Sequence, residues 1–222
     1  MSRSTKRLLI TGTTGYLGRH LVHRLGGDRI EYSSLCRSRP GKFQRNKYYI
    51  GDISSYEVVR EAVRDHDLVV HLACLPLPAC KKNPELSFVT NVQGTENVAR
   101  ACSELGKEML FVSSSEVYGP SKILPLREDS SKQPSSIYGG HKLLAETACT
   151  AWARVAGLKY SIFRFFNIYG PAADGSQRNT VETIFLRKAL GRETLIVTGG
   201  ENNSRDFLFI DDAIDALIRG PH

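Results

Sequence analysis

The sequence lacks the patterns by which several classes of protein are recognised. Its five cysteines form no CxxC pair and follow no metal-ligand spacing, so neither a metal site nor a disulfide framework is predicted. No apolar run reaches the length that spans a bilayer, and the polar start at residues 1–6 is unlike a signal peptide. The net charge of +7 is spread without a block of basic residues, which argues against nucleic-acid binding. These absences predict a cytoplasmic protein with reduced thiols and no membrane or nucleic-acid partner.

What the sequence does contain is an alternation of strand and helix patterns. A chain of 222 residues, 41% of them hydrophobic, can bury the core of one full α/β domain. Strands are predicted at residues 7–11, 30–36, 48–50, 68–73, 108–113 and 160–164, and helices at 15–25, 54–64, 84–105 and 138–156. This alternation predicts an α/β fold with a doubly wound parallel sheet and helices on both faces. Ligands of such sheets bind at the carboxyl ends of the strands.

A glycine-rich segment joins the first predicted strand to the first helix. Gly12, Gly15 and Gly18 permit, in that order, a tight turn, close approach of a pyrophosphate, and packing of the helix on the sheet. The helix N-terminus offers N–H groups and a partial positive charge to phosphates. A plain glycine-rich turn is the alternative, but the flanking strand and helix favour the dinucleotide-binding loop of a Rossmann-type fold. The residues expected to contact the cofactor from this loop are Gly12, Thr14, Gly15, Tyr16, Leu17 and Gly18.

The residues after the second and third strands bear on the choice of cofactor. NAD-binding proteins usually carry an acidic residue at the end of the second strand, where this chain has Cys36 followed by Arg37 and Arg39. Guanidinium groups suit a 2′-phosphate, so the prediction is NAD(P) with a leaning to NADP; solvated loop arginines are the alternative. Asp52, with Ile53 beside it, is expected either to contact the adenine or to cap the next helix.

A tyrosine and a lysine four residues apart open a long predicted helix. This spacing puts Tyr138 and Lys142 on one helical face. To accept a proton at neutral pH, a phenol must have its pKa lowered by about three units, and a nearby ammonium and a positively charged nicotinamide ring have the right sign. A half-buried aromatic at a helix start is the alternative. Gly139 and Gly140, which are poor helix formers, indicate close approach of a ligand or of backbone.

Hydroxyl groups and one carboxylate follow the predicted strand at residues 108–113. The run of Ser114, Ser115 and Glu116 therefore lies at the ligand-binding edge of the sheet. A serine hydroxyl there can bond the reacting oxygen of a substrate and orient it toward a phenolate. The alternative is that these serines only form a turn or cap a helix. The glycine loop and Tyr138 favour the catalytic role.

Together these motifs resemble the extended short-chain dehydrogenase/reductase family, in its NAD-dependent epimerase/dehydratase group typified by UDP-glucose 4-epimerase. The matching segments follow the family's order over nearly the whole chain. They are TGTTGYLG at Thr11, GDI at Gly51, HLA at His71, NPELSFVTNVQGTENVARAC at Asn83, SSSEVYG at Ser113, YGGHK at Tyr138, RFFNIYGP at Arg164 and SRDFLFIDDAIDAL at Ser204.

The resemblance implies a role for each matching residue. Tyr138 would be the catalytic base with Lys142 as its partner, and Ser114 would take the catalytic Ser/Thr position. Glu116 is counted among the catalytic residues as well. Tyr138 and Lys142 are also expected to contact the cofactor. The further residues implied near the cofactor are Leu72, Ala73, Asn91 and Phe165, and those implied near the substrate are Ser115, Asn167 and Arg205. The implied substrate is a nucleotide-linked sugar.

The family's shared step is oxidation of a sugar carbinol, with Tyr138 taking the hydroxyl proton, and subclasses differ in the fate of the resulting keto sugar. A 4,6-dehydratase is discounted because Ser115 replaces an Asp. The run SSE at residues 114–116 favours a decarboxylase, but this chain has Leu143 where decarboxylases often have Arg. Arg37, which suits NADP, favours a reductase. We therefore rank a 4-epimerase first, a decarboxylase second and a reductase third. A non-catalytic NADP-binding protein is the alternative outside enzymes.

Two expectations concern organisation. Residues 1–165 are expected to form the Rossmann domain, and residues 166–222 the start of a smaller substrate-binding lobe that resembles a truncated version of the family's. The elements predicted in this lobe are a helix at 181–190, strands at 195–198 and 207–210, and a helix through 218 capped by Asp211 or Asp212. The long helices that begin near Pro84 and Tyr138 are expected to form a homodimer interface, as is common in the family.

Overall fold

The computed structural model describes residues 6–27, 30–39, 47–173, 175, 180–197 and 204–220 of the chain. Its main sheet consists of β1 (Leu8–Thr11), β2 (Tyr32–Cys36), β3 (Lys47–Ile50), β4 (Leu68–His71), β5 (Glu108–Ser114) and β6 (Lys159–Phe165). The strands lie in the order β3-β2-β1-β4-β5-β6, and all neighbours are parallel. This is the Rossmann strand order, in which ligands bind where the direction of winding reverses, between β1 and β4. The predicted fold class is confirmed.

Consecutive residues of the central strands face opposite sides of the sheet, because side chains alternate along a strand. Leu9 and Val69 pack on one side with α2 (Tyr56–Arg64), α5 (Gly94–Glu104) and α6 (Ile137–Ala156). Their neighbours Ile10 and Val70 pack on the other side with α1 (Tyr16–Gly27) and α8 (Ile210–Arg219). Burial on both faces explains why these strands are continuous apolar runs rather than alternating ones.

The segment predicted as one helix over residues 84–105 is divided in the structure. It contains α4 (Pro84–Phe88), a π-helical turn (Val89–Gln93) and then α5. The prediction of a single regular helix was therefore wrong. The buried Asn91 lies in the π-helical turn and bonds the backbone of Leu75 with its side chain, a non-local contact that helical periodicity does not reveal. A short helix, α3 (Leu77–Lys82), precedes it and was not predicted.

The last part of the chain forms a second, small sheet. Strands β7 (Asn167–Tyr169) and β8 (Phe207–Phe209) pair in parallel, and α7 (Val181–Leu190) lies between them in sequence. α8 packs on α1 and the main sheet, although the predicted division placed it in the second lobe. The division at residue 165 itself stays a prediction.

Two details predicted for the second lobe were wrong. Within the described residues, 195–197 form no strand and are exposed, because an apolar run without a neighbouring strand has no ladder to join; Thr198 lies outside the described residues. Asp211 and Asp212 lie inside the first turn of α8, while Phe209 is the N-cap residue. Carboxylates in that turn still favour the helix through its dipole. None of the helices in the described part of the chain has the length and apolar character needed to cross a bilayer.

Candidate active site

The loop between β1 and α1 lies directly against the residues that follow β4. Gly12 has a φ of +76°, and a Cβ atom there would lie 2.6 Å from the backbone nitrogen of Ala73. A Cβ atom on Gly18 would lie 2.2 Å from the carbonyl oxygen of Gly12. Only glycine fits at these two positions, so the backbone can make a tight turn directly under α1. The first turn of α1 carries no acidic residue, which leaves its partial positive charge available to an anion.

The carboxyl ends of the strands enclose a cleft of about 640 Å³. It is lined by all but one of the residues predicted to contact the cofactor, namely Gly12, Thr14, Gly15, Tyr16, Leu17, Gly18, Arg37, Asp52, Ile53, Leu72, Ala73, Tyr138, Lys142 and Phe165. Asn91 is the exception, since its side chain bonds the backbone of Leu75 behind the wall. The structure thus brings residues from well-separated segments of the sequence to one cleft.

Sequence reasoning missed part of the cleft wall. Cys74, Leu75 and Pro76 follow β4 and line the cleft, as do Val112 and Ser113 in β5. The rule that ligands meet the carboxyl ends of strands applies to all five. The residue types of an apolar Leu-Pro pair do not indicate a binding role, however. Only the position of these residues at the carboxyl ends of β4 and β5 could have indicated that they line the cleft.

The charged residues after β2 and β3 separate into two environments. Arg37 lines the cleft, whereas the guanidinium of Arg39 lies outside the lining, 5.4 Å from the centre of the Tyr48 ring. Asp52 also lines the cleft, and its Oδ1 accepts a hydrogen bond from the backbone of Ser54 at 2.9 Å. Ser55, and not Asp52, is the N-cap residue of α2. Of the two predictions for Asp52, capping the helix is therefore wrong.

Tyr138 and Lys142 lie one turn apart at the start of α6, facing the cleft. The Nζ atom of Lys142 is buried, donates to the carbonyl oxygen of Val112 at 2.8 Å and lies 5.9 Å from the centre of the Tyr138 ring. Burial raises the pKa of Tyr138 above its ordinary value, and Cys74 adds to the rise, whereas a hydrogen bond with Ser114 opposes it. The phenol is therefore neutral at pH 7 in the cofactor-free protein, and its ionisation requires added positive charge.

The start of α6 is held by the turn that follows β5. The hydroxyl of Ser136, the N-cap residue, accepts from the backbone of Gly139 at 3.0 Å and donates to the carboxylate of Glu116 at 2.9 Å. A Cβ atom on Gly139 would lie 2.4 Å from the carbonyl oxygen of Glu116, which confirms the predicted close approach. Apart from its chain neighbours and the backbone of its own helix, no atom of the described residues lies within 4 Å of a Cβ atom placed on Gly140, so close approach of backbone was wrong there. Glu116 therefore contacts the start of the helix and lies outside the cleft lining.

The three residues predicted to hold the substrate also lie outside the cleft lining. Ser115 begins the short turn after β5, and its carbonyl oxygen accepts from the backbone of Tyr118. Asn167 donates from Nδ2 to the carbonyl oxygen of Asp206 at 2.9 Å. The guanidinium of the exposed Arg205 donates to the carbonyl oxygen of Ser204 at 2.8 Å. Their roles toward a substrate stay predictions.

One buried hydroxyl of the cleft wall has no partner in the part of the chain that the structure describes. Ser113 is 4% exposed, and among the described residues its Oγ atom has no hydrogen-bond partner. A buried polar group without a partner is costly, so such a group on a cleft wall fits a ligand with polar atoms. Together with the glycine turn, Arg37 and Lys142, this hydroxyl makes the cleft suited to a dinucleotide that carries a pyrophosphate and ribose hydroxyls.

Comparison with known proteins gives a consistent result. Residues 8–219 match the NAD dependent epimerase/dehydratase family. UDP-N-acetyl-alpha-D-glucosaminuronate decarboxylase of Bacillus cytotoxicus is 34% identical over 228 residues, covering 96% of this chain and 70% of the relative. UDP-glucose 4-epimerase of Lactobacillus helveticus is 32% identical over 234 residues, covering 96% and 71%. The structure of MoeE5 in complex with UDP-glucose and NAD superposes with a TM-score of 0.79 at 31% identity, covering 96% of this chain and 70% of that one.

The lengths of the matching proteins differ from that of this chain. The chain spans 53% and 54% of the length of two further matching decarboxylases. The activity and substrates of those longer proteins are therefore only proposed for this chain.

Proposed function

The chain belongs to the NAD-dependent epimerase/dehydratase family, and we propose that it oxidises a carbinol of a nucleotide-linked sugar with a nicotinamide dinucleotide. One observation carries the proposal: Tyr138, Lys142 and Ser114 line the same cleft as the glycine turn. A phenol, an ammonium and a hydroxyl at the carboxyl edge of the sheet form a proton-transfer site next to a dinucleotide site.

Each side chain has a separate task in this reaction. When bound, the oxidised nicotinamide supplies the acceptor for the hydride that leaves the carbinol carbon. The ammonium of Lys142 and the positive nicotinamide ring would together stabilise the phenolate form of Tyr138, and this phenolate takes the carbinol proton and becomes a neutral phenol. The hydroxyl of Ser114, which lines the cleft together with Tyr138, holds the substrate oxygen next to the phenol.

We rank 4-epimerisation first among the possible outcomes of the oxidation. Of the described residues that line the cleft, Asp52 is the only carboxylate, and it lies after β3 at the end of the cleft away from β5. Glu116 is near enough to raise the pKa of Tyr138, but its carboxylate accepts from Ser136 and lies outside the described lining. No carboxylate of the described lining is therefore available beside Tyr138 as a second acid or base. An epimerase needs only one group that takes a proton and later returns it, since the hydride comes back to the opposite face of the same carbon.

Decarboxylation is the second candidate, and two observations favour it. The Bacillus cytotoxicus relative is named a decarboxylase, and residues 114–116 of this chain read Ser-Ser-Glu. When a sugar carries a carboxylate next to the carbon adjoining the new ketone, the oxidation product is a β-keto acid. Such an acid loses carbon dioxide without a further acid or base and leaves an enolate. The enolate takes a proton from water on carbon, and the hydride then returns to the ketone as the phenol of Tyr138 gives its proton back, so this cleft is compatible with that reaction too.

For the cofactor we propose NADP. Arg37 lines the cleft after β2, where a guanidinium can pair with a 2′-phosphate, and no carboxylate stands at the end of β2 to hold a free 2′-hydroxyl. The MoeE5 structure holds NAD, so binding of NAD in preference to NADP is the competing outcome.

The test is to supply the protein with NAD⁺ or NADP⁺ and, in separate reactions, with UDP-glucose and UDP-glucuronic acid. Formation of UDP-galactose, identified by NMR, indicates an epimerase, and release of carbon dioxide with a UDP-pentose indicates a decarboxylase. Tyr138→Phe should keep cofactor binding and lower turnover at least about a hundredfold. Cofactor binding without Tyr138-dependent turnover of any nucleotide sugar would instead favour a non-catalytic cofactor-binding protein.

We also propose that the chain forms a homodimer through α4 and α6. Leu86, Phe88 and Leu144 on these helices are 43%, 47% and 49% exposed, which leaves an apolar face available to a second copy. Light scattering should give twice the mass of the chain, and Leu144→Glu should shift the population toward the monomer. A monomer at all concentrations would contradict this proposal.

A further inference from the structure

His141 lies on the helix that carries Tyr138 and Lys142, but its side chain contacts α4 rather than the cleft. The Nδ1 atom of His141 lies 2.7 Å from the hydroxyl of Ser87. The imidazole also meets the ring of Phe88 edge-on, with the ring centres 5.7 Å apart. Desolvation lowers the pKa of His141, so the ring is neutral at pH 7.

The direction of the hydrogen bond to His141 follows from the acceptors available to Ser87. Ser87 is buried, and its Oγ atom accepts from the Nδ2 group of Asn91 at 3.4 Å. Among the described residues, Nδ1 of His141 is the one acceptor within reach of the Ser87 hydroxyl proton, so this proton is assigned to Nδ1 of an imidazole protonated at Nε2. His141 thus completes the hydrogen bonding of a buried group that would otherwise lack an acceptor.

The same path continues from Asn91 to the wall of the cleft. The Oδ1 atom of Asn91 accepts from the backbone nitrogen of Leu75 at 2.6 Å, and its Nδ2 group donates to the carbonyl oxygen of Leu75 at 3.0 Å. The thiol of the buried Cys80 donates to that carbonyl oxygen at 3.0 Å. Leu75 itself lines the cleft, as do its neighbours Cys74 and Pro76.

Backbone hydrogen bonds hold both ends of residues 72–76, since Leu72 donates to Thr11 and the carbonyl oxygen of Pro76, the N-cap residue of α3, accepts from Ala79 and Cys80. Residues 73–75 between them belong to neither a helix nor a strand, so in the described structure no backbone ladder fixes their distance from α6. We propose that His141 is a positioning residue that, through Ser87 and Asn91, holds the wall at residues 74–76 at a fixed distance from Tyr138. The effect on turnover rests on the proposed function, whereas the anchoring of the wall does not.

The consequence concerns the placement of the substrate. Cys74, in the anchored wall, is close enough to Tyr138 to affect its pKa. A shift of this wall therefore changes the space in which the reacting carbon is held against the phenol. Misplacement by about 1 Å can lower turnover a hundredfold without any change in the reacting groups.

Two variants at one position separate the hydrogen bond from the bulk of the side chain. His141→Leu removes the acceptor. His141→Asn keeps one, because Oδ1 of Asn is as many bonds from the backbone as Nδ1 of His. In His141→Leu we expect kcat to fall by about ten- to a hundredfold, and in His141→Asn to stay near the wild-type value.

A second measurement does not depend on turnover. In a Cys74→Ser background, Cys80 is alkylated with N-ethylmaleimide in the cofactor-free protein, and the labelled peptide is quantified by mass spectrometry. His141→Leu should raise the rate at Cys80 by about tenfold, because the loop opens more often, and His141→Asn should not. Cys102 and Cys149, buried between α5 and α6, should stay protected, which distinguishes local opening from general unfolding.

Each outcome decides between the possibilities. Equal alkylation of Cys80 in the wild type and His141→Leu would overturn the anchor, as would identical behaviour of the Leu and Asn variants. Faster alkylation with unchanged kcat would overturn the positioning role. Absence of turnover in the wild type would refute the proposed function, while the Cys80 rates would still decide whether His141 anchors the wall.

Discussion

The Nδ1 atom of His71 lies 2.7 Å from the hydroxyl of Thr11, and this buried contact connects β1, the strand before the glycine turn, to the neighbouring strand β4. The hydroxyl oxygen of Thr11 also accepts from the backbone of Ala73 at 3.2 Å. The Nε2 atom of His71 lies 3.0 Å from the hydroxyl of Thr95, which donates onward to the carbonyl oxygen of Asn91 at 2.8 Å. A neutral imidazole with its proton on Nε2 satisfies all of these partners.

The stability of the protein should depend on pH through His71. Burial, aided by the charge of Lys142, lowers the pKa of His71 to about 3, against about 6.5 in an unfolded chain. Between these values the unfolded chain binds a proton that the folded chain does not. The contribution of His71 to the free energy of unfolding is therefore fully present above pH 6.5. It decreases as pH falls toward 3, by up to about 1.4 kcal/mol per pH unit. Urea unfolding at several pH values should show this slope reduced in His71→Gln; equal slopes in the two proteins would contradict it.

Two neighbouring glycines of α6 should respond oppositely to the same substitution. Gly140→Ala should raise the free energy of unfolding by about 0.5–1 kcal/mol, since alanine is the better helix former and the site is open. Gly139→Ala should lower it by about 1–3 kcal/mol, because the new methyl group would lie 2.4 Å from the Glu116 carbonyl oxygen. Urea unfolding of the cofactor-free variants measures both. If both substitutions changed the free energy of unfolding in the same direction, the close contact of Gly139 with Glu116 would be refuted.

The phenol of Tyr138 should stay neutral well above pH 7 until a cofactor binds. Burial raises its pKa in the cofactor-free protein. The difference in absorbance at 295 nm between the wild type and Tyr138→Phe should therefore stay flat up to about pH 10, the ordinary pKa of tyrosine. Addition of the oxidised cofactor should move the onset of ionisation to lower pH, since a positive ring favours the phenolate. An onset below pH 10 without cofactor would refute the expected neutrality of the phenol.

Arg37 and Arg39 offer a matched pair for testing the choice of cofactor. Arg37→Asp should weaken NADPH binding by about ten- to a hundredfold, because a charge-assisted hydrogen bond contributes roughly 1.5–3 kcal/mol. The affinity for NADH should fall less or rise. Arg39→Asp makes the same change of charge outside the cleft lining, next to Tyr48, and should have a much smaller effect. Equal losses in both variants would mean that only the overall charge matters.

Local sequence patterns predicted the elements that rest on local physics. The strand around Leu9 and Ile10 and the helix start at Tyr138 follow from apolar runs, glycines and spacing along a few residues. The π-helical turn around Asn91 did not follow, because it accompanies a side-chain contact with Leu75 that is distant in sequence. The partner of Glu116 was missed for the same reason, since Ser136 lies 20 residues away.

The sequence by itself determined the doubly wound sheet, the glycine turn and the identity of the groups at the cleft, because apolar periodicity and the steric limits of glycine act within single segments. Only the tertiary structure decided which polar groups face the cleft and which are used to hold it. Arg37 and Arg39, or Tyr138 and His141, are close neighbours in sequence with different surroundings. The physical reason is that a buried polar side chain must find a partner wherever packing provides one, and packing brings together residues from distant parts of the chain.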